Sequence, residues 1–271
     1  MAWWDNLAAR LRAIFGSVPG GFDWETAGPS DDEHPIVRAS EQAWSDHGPT
    51  FVDGWWTGAD RKPAHAKRIG PAIVPRAIVV HTTDTLNAFD AIVKSWTTTP
   101  GAGNAAHFMI GRTSGEGVVQ FAPITRNANH AGGHVHGNFQ SASTGLIHPN
   151  TVSVGIELEA GGRLKRAGST WVHPDTKKVV PDANVYVDAR GVGWHVVTDY
   201  QLAVLDSLLD GLWMQLQRRK LVAVPDDDYA KNGVPWAGMP GELVGHVTLD
   251  PINKTDPGPQ VLQHLRSLVL G

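Results

Sequence analysis

AIVVH, residues 77–81, is a continuous apolar run that ends on a histidine. With no polar alternation it reads as a buried strand, and it delivers His81 at its carboxyl end, where open α/β sheets hold their ligands. Thr83 and Asp84 can cap the helix that follows, in which Leu86, Phe89, Val93 and Trp96 recur at three- and four-residue steps until Gly101 and Gly103 break it. Two strands come next, around His107–Ile110 and Val118–Phe121. The glycine-rich turn through Arg112–Gly117 marks them as a hairpin.

Val152–Glu159, VSVGIELE, is alternating and β-branched and reads as a second central strand. Period-two alternation puts Glu157 on the face of Gly155 and Ser153, with open space above the glycine, and turns Ile156 and Leu158 to the other side. A carboxylate inside a strand is costly without a partner, which points to a site role for Glu157. Glu159, nearer the strand end, is expected to be solvated. Residues 160–197 form a partly basic excursion with Lys165, Arg166, Lys177 and Lys178, either a hairpin over the site or a surface loop. Thr198–Arg219 is the clearest helix. Thr198 with Gln201 suits a capping box, and Leu202, Leu205, Leu209, Leu212 and Leu216 make one apolar stripe. A tail helix over Pro259–Leu270 closes an α/β fold with a central mixed β-sheet flanked by helices.

The chemistry concentrates in two loops. GHVTLDPINKTDPG, residues 245–258, gathers His246, Lys254 and Asp256 between two prolines and two glycines, a loop held by φ restriction rather than by a ladder. His and Asp both bind zinc, and three protein ligands with one open position is the usual catalytic arrangement, so a second histidine is expected from elsewhere. NHAGGHVHG, residues 129–137, carries His130, His134 and His136. That cluster is either a competing metal site or a set of loop imidazoles that hydrogen-bond backbone or substrate.

The chain of 271 residues has room for one large domain, or for one domain with an appendage. A net charge of −4 gives no argument for a nucleic-acid partner, and the absence of cysteine excludes disulfides and thiolate metal sites, leaving His and carboxylates. No apolar run is long enough for a spanning helix. Asp5, Arg10 and Arg12 interrupt the start, which does not read as a signal peptide. Trp3, Trp4, Leu7, Leu11, Ile14 and Phe15 lie at helical spacing over residues 3–15, an amphipathic helix for docking on its own domain or for a membrane or delivery partner. Residues 20–60 hold nine acids against one base, Arg38, with aromatics that argue for an ordered, irregular wrap.

A strand ending in His81, the HAG triplet at His130, the strand VGIELE and the loop GHVTLDPINKTDPG occur in the order seen in zinc-dependent N-acetylmuramoyl-L-alanine amidases, which the chain resembles over about residues 75–270. The resemblance implies that His81, His246 and Asp256 bind one zinc ion, that Glu157 and Lys254 are catalytic, and that His107 and His130 lie at the substrate. Asp256 stands where some members have cysteine, and Asn129 where relatives often have tryptophan. Residues 1–70 are then an N-terminal extension and 71–271 the zinc amidase domain. The implied partner is peptidoglycan, cut between N-acetylmuramic acid and L-alanine. An endolysin or delivered effector, made in the cytoplasm and acting at the bacterial cell wall, suits the leader; a peptidoglycan-binding module and a cytoplasmic recycling amidase are the alternatives.

Overall fold

A computed structural model describes residues 50–100, 104–131, 139–141, 145–216, 222–223, 242–249 and 254–270. The amphipathic helix expected at residues 3–15, most of the acidic segment, and His134 and His136 lie outside the described residues.

Seven strands form one sheet: β1 (Asp60–Arg61), β2 (Ala77–Thr82), β3 (Phe108–Ile110), β4 (Val118–Gln120), β5 (Ser153–Leu158), β6 (Val222–Ala223) and β7 (Glu242–Gly245). Across the sheet they run β6-β7-β2-β5-β3-β4-β1. The β3–β4 pair is the expected antiparallel hairpin, and the other neighbours are parallel. Among the described residues four α-helices accompany the sheet: α1 (Phe89–Thr98), α2 (Asp199–Gln215), the single turn α3 (His246–Leu249) and α4 (Pro259–Leu270). The fold is therefore α/β, a mixed sheet flanked by helices.

Residue alternation sorts the core into two faces. Ile78 and Val80 of β2, with Val154, Ile156 and Leu158 of β5, pack against Leu205, Leu208 and Leu212 of α2 and Val261 and Leu265 of α4. Each such aliphatic side chain contributes roughly 1.5–3 kcal/mol by leaving water. Ala77 and Val79 turn the other way, toward Val244, Leu249 and Ala131. Farther along the sheet, Phe89, Ile92, Val93 and Trp96 of α1 meet Met109 and Val119. Both faces of β2 are covered, which is why its sequence shows no alternation.

Several local expectations are corrected. Helix α1 starts at Phe89 with Ala88 as an N-cap that makes no side-chain cap bond. Thr83 instead donates to and accepts from the backbone of Ala160, at 3.2 Å each, and Asp84 takes a left-handed φ of 48°. Glu159 is buried rather than solvated, and burial pushes its carboxyl up to about 7. The excursion at 160–197 is hairpin structure. Lys165–Ala167, Thr170–Val172 and Val179–Val180 form one antiparallel sheet, and Val185–Val187 pairs with Gly193–His195. Leu164, Trp171 and Val180 give it a small core, with Leu86 against it. Within residues 50–70, which lie outside the extent of the resemblance, β1 joins the main sheet, and Gln120 accepts from the Trp56 amide at 2.6 Å and donates to the Gly54 carbonyl at 2.9 Å.

The capping box is present. Gln201 Oε1 accepts from the Thr198 amide at 3.0 Å, and the Thr198 hydroxyl accepts from the Gln201 amide at 3.2 Å. Gln201 Nε2 also donates to the carbonyls of Ile110 and Glu159, at 3.1 Å each, clamping α2 onto the carboxyl ends of β3 and β5. Gln201→Ala removes the cap and both buried donations, so urea denaturation should show a loss of roughly 2–4 kcal/mol. An unchanged unfolding midpoint would show that the clamp carries no load.

Candidate active site

Register sets the site. In the parallel β2–β5 pair Glu157 lies opposite His81, and in the β7–β2 pair Gly245 lies opposite Val80. His246, one residue beyond Gly245, therefore emerges beside His81 at the carboxyl ends of the central strands. The stretch 245–258 is not the plain loop its composition suggests, because Gly245 ends a strand and His246 opens α3. A Cβ on Gly245 would sit 2.6 Å from Cδ of Pro257 and 2.8 Å from Cδ2 of Leu262, so glycine lets the Asp256–Pro257 turn press against the strand end. The Val247 amide donates to the Asp256 carbonyl at 2.8 Å and fixes the approach. From above, Trp194 of the hairpin insertion packs on Gly258, whose φ of +83° and missing Cβ, which would lie 2.8 Å from the indole, make room for it.

These elements bring three expected ligands together. Oδ2 of Asp256 lies 3.2 Å from Nδ1 of His81 and 3.1 Å from Nδ1 of His246. One donor atom from each of the three lies within 4.8 Å of the others, and all three residues are buried. The second oxygen of Asp256 and Oε2 of Glu157 have no hydrogen-bond partner among the described residues. Burial, and then the adjacent His246 ring, depress His81 to about 4, so it is neutral at pH 7. Burial alone would push Asp256 up, but its hydrogen bond with His246 leads the effects that outweigh it, and the carboxyl is held well below the usual range. Two imidazoles and an ionised carboxylate are a zinc donor set that needs no thiolate, and separations of 3.1 and 3.2 Å approach the ~3.3 Å between ligands of tetrahedral zinc. The residues fit the ion.

Glu157 is raised well above 4.5, first by burial and then by the charges of Asp256 and Asp84, with Lys254 opposing. Lys254 is half-buried, and its charge also reaches His81.

The ring nitrogens of His107 and His130, expected at the substrate, are met by protein groups. Nε2 of His107 donates to the Arg126 carbonyl at 2.8 Å, and Nδ1 accepts from the Gly155 amide at 3.0 Å. His130 places Nδ1 3.0 Å from Nε2 of His81 and Nε2 3.2 Å from the Ser153 hydroxyl. Both rings are buried with both nitrogens engaged by protein. The space above Gly155 is not open either. His130 fills it, with Cγ 2.4 Å from where a Cβ would stand.

Sequence reasoning passed over Asn150, whose Oδ1 accepts from the amides of His130 and Ala131 at 3.2 and 2.7 Å, and over Asp84, read as a helix cap. Ser153 shares the alternating face of Glu157, and that was its one visible signal.

A family profile for N-acetylmuramoyl-L-alanine amidase matches residues 71–259. No protein of curated function matches the chain by sequence. Among solved structures, a selenomethionine derivative of AmpD is 21% identical with a TM-score of 0.48, covering 81% of this chain and 99% of its own. AmpDh3 from Pseudomonas aeruginosa in complex with anhydromuramic pentapeptide is 18% identical with a TM-score of 0.42, covering 73% of this chain and 61% of its own. AmiD from E. coli, in complex with the substrate anhydro-N-acetylmuramic acid-L-Ala-D-gamma-Glu-L-Lys, is 21% identical with a TM-score of 0.40, covering 76% and 61%. The profile spans well over half of the residues, and on that match the chain belongs to the N-acetylmuramoyl-L-alanine amidase family of enzymes.

Proposed function

We propose that the chain hydrolyses the amide between the lactyl group of N-acetylmuramic acid and L-alanine in peptidoglycan, with one zinc ion held by His81, His246 and Asp256. The observation that carries this reading is the convergence of two imidazole Nδ1 atoms on one carboxylate oxygen whose charge acts on buried Glu157, with Oε2 of that glutamate lacking a hydrogen-bond partner among the described residues. Zinc in such a site supplies Lewis acidity, polarising an amide carbonyl and lowering the pKa of water toward neutrality. Glu157 takes the proton of the attacking water and returns it to the leaving amine of L-alanine. Its buried carboxyl, raised well above the ordinary range, is suited to both directions of that transfer. Lys254 lowers Glu157 toward its ionised form and stabilises the oxyanion that develops on the substrate carbonyl. His107 and His130 support the pocket from below and do not touch substrate.

The biological setting we propose is cell-wall lysis or remodelling, by an endolysin or a delivered effector made in the cytoplasm and acting at the wall, with the tryptophan-rich, acidic leader serving the delivery or membrane partner. Support for it comes from the tryptophan-rich, acidic leader alone.

Purified peptidoglycan should release new L-alanine amino termini with the wild-type protein. Glu157→Ala should lower that rate by roughly 10²–10⁴, and a chelator should abolish it until zinc is restored. A zinc-loaded, intact chain that binds peptidoglycan and releases nothing would move the assignment to a binding module.

Glu157 also leaves a thermodynamic trace in the chelated protein. Its folded pKa lies above the unfolded value of 4.5, so between the two the unfolded state has lost a proton that the folded state keeps. Wild-type stability therefore falls as pH rises through that window, by at most about 1.4 kcal/mol per pH unit. Glu157→Gln lacks this loss. Its stability advantage should be absent below pH 4.5 and grow above it, and an advantage independent of pH would contradict the buried, proton-retaining carboxyl.

A further inference from the structure

We propose that Ser153 and His130 are positioning residues that hold His81 in its Nε2–H tautomer, so that the Nδ1 lone pair is the atom offered to the zinc ion. The inference rests on the zinc reading above and extends it to two residues outside the ligand set. Which ring nitrogen carries the proton is decided by the surrounding hydrogen-bond network.

That network has a fixed starting point. The Ser153 hydroxyl lies 2.7 Å from the Pro149 carbonyl, which can only accept, so the hydroxyl proton is committed there. Oγ of Ser153 can then only accept from Nε2 of His130, 3.2 Å away. A neutral His130 with its proton on Nε2 presents a bare Nδ1, which accepts from Nε2 of His81 at 3.0 Å. Neutral His81 is left with a bare Nδ1, 3.2 Å from the ionised Oδ2 of Asp256. Two lone pairs face each other across that gap, an arrangement that a cation between them relieves.

Reversing the order would set the Ser153 oxygen lone pairs against the Pro149 carbonyl at 2.7 Å in a buried site. The geometry of the relay is equally held. Asn150 pins the backbone at His130 and Ala131, the missing side chain of Gly155 accepts the imidazole, and the His107 ring meets it edge-on at 5.7 Å between centroids. Partners of this kind orient a ligand histidine and raise its basicity, and their loss typically weakens metal binding by about 10–100-fold.

The test uses the full chain, ¹⁵N-labelled and zinc-loaded. Long-range ¹H–¹⁵N correlation spectra should show His81 and His130 each protonated at Nε2. Ser153→Ala should weaken zinc binding by about 10–100-fold in competition with a chromogenic chelator and leave His130 as a mixture of tautomers. The proposal is overturned if zinc-loaded wild type carries the His81 proton on Nδ1, or if Ser153→Ala binds zinc within about twofold of wild type with its tautomers unchanged. The wild-type spectrum decides alone should Ser153→Ala not fold. Failure of the zinc reading is separate, since a wild-type chain that takes up no zinc overturns both, whereas one that binds zinc without cutting peptidoglycan overturns only the reaction.

Discussion

The parallel register of three strands is the constraint on which the rest depends. β7, β2 and β5 lie side by side, with Gly245 opposite Val80 and Glu157 opposite His81. Side chains alternate with a period of two, so a slip of one residue in β5 would turn Glu157 into the face packed by α2 and expose Ile156 to the site. Burial on both faces penalises that slip, because Val154, Ile156 and Leu158 would lose their contacts with Leu205 and Leu208. The core thus specifies the spatial order of the candidate-site groups. The Gln201 clamp and the Trp194 contact on Gly258 then close the ends of the strands over that order.

Against this apolar frame the site concentrates groups that resist burial. Asp256 and Glu157 are both nearly sequestered, and each has an oxygen with no hydrogen-bond partner among the described residues. Uncompensated, such groups are among the more destabilising features a fold can carry. The two carboxylates respond in opposite directions. The hydrogen bond with His246 leads the effects that lower Asp256, whereas desolvation and neighbouring negative charge raise Glu157. Two carboxyl groups in one pocket with pKa values driven apart is the pattern that separates a ligand from a proton carrier.

Much of this was legible in the chain. AIVVH announced a doubly covered strand, the leucines of α2 its packing face, and Thr198 with Gln201 a real helix start. His81, His246 and Asp256 were named from residue type and motif order, and the fold brings them within 4.8 Å. What sequence concealed were consequences of distance along the chain. A glycine in VSVGIELE implied space, but not that an imidazole twenty-five residues earlier would fill it. The resemblance alone placed His107 and His130 at the substrate. The sequence could not show the partners of their ring nitrogens, supplied by Arg126, Gly155, Ser153 and His81. Short β7 was hidden because four residues before a histidine carry too little periodicity to register.

The central claim is that His81, His246 and Asp256 hold one zinc ion. Zinc-edge X-ray absorption on the full chain tests it most directly, joined to metal analysis of the same sample. The account predicts one zinc per chain, a shell of light ligands at about 2.0–2.2 Å without sulfur, and the outer-shell scattering of two imidazoles. It also predicts that His246→Ala removes one imidazole contribution. Substoichiometric zinc, or a spectrum unchanged by that substitution, would contradict it.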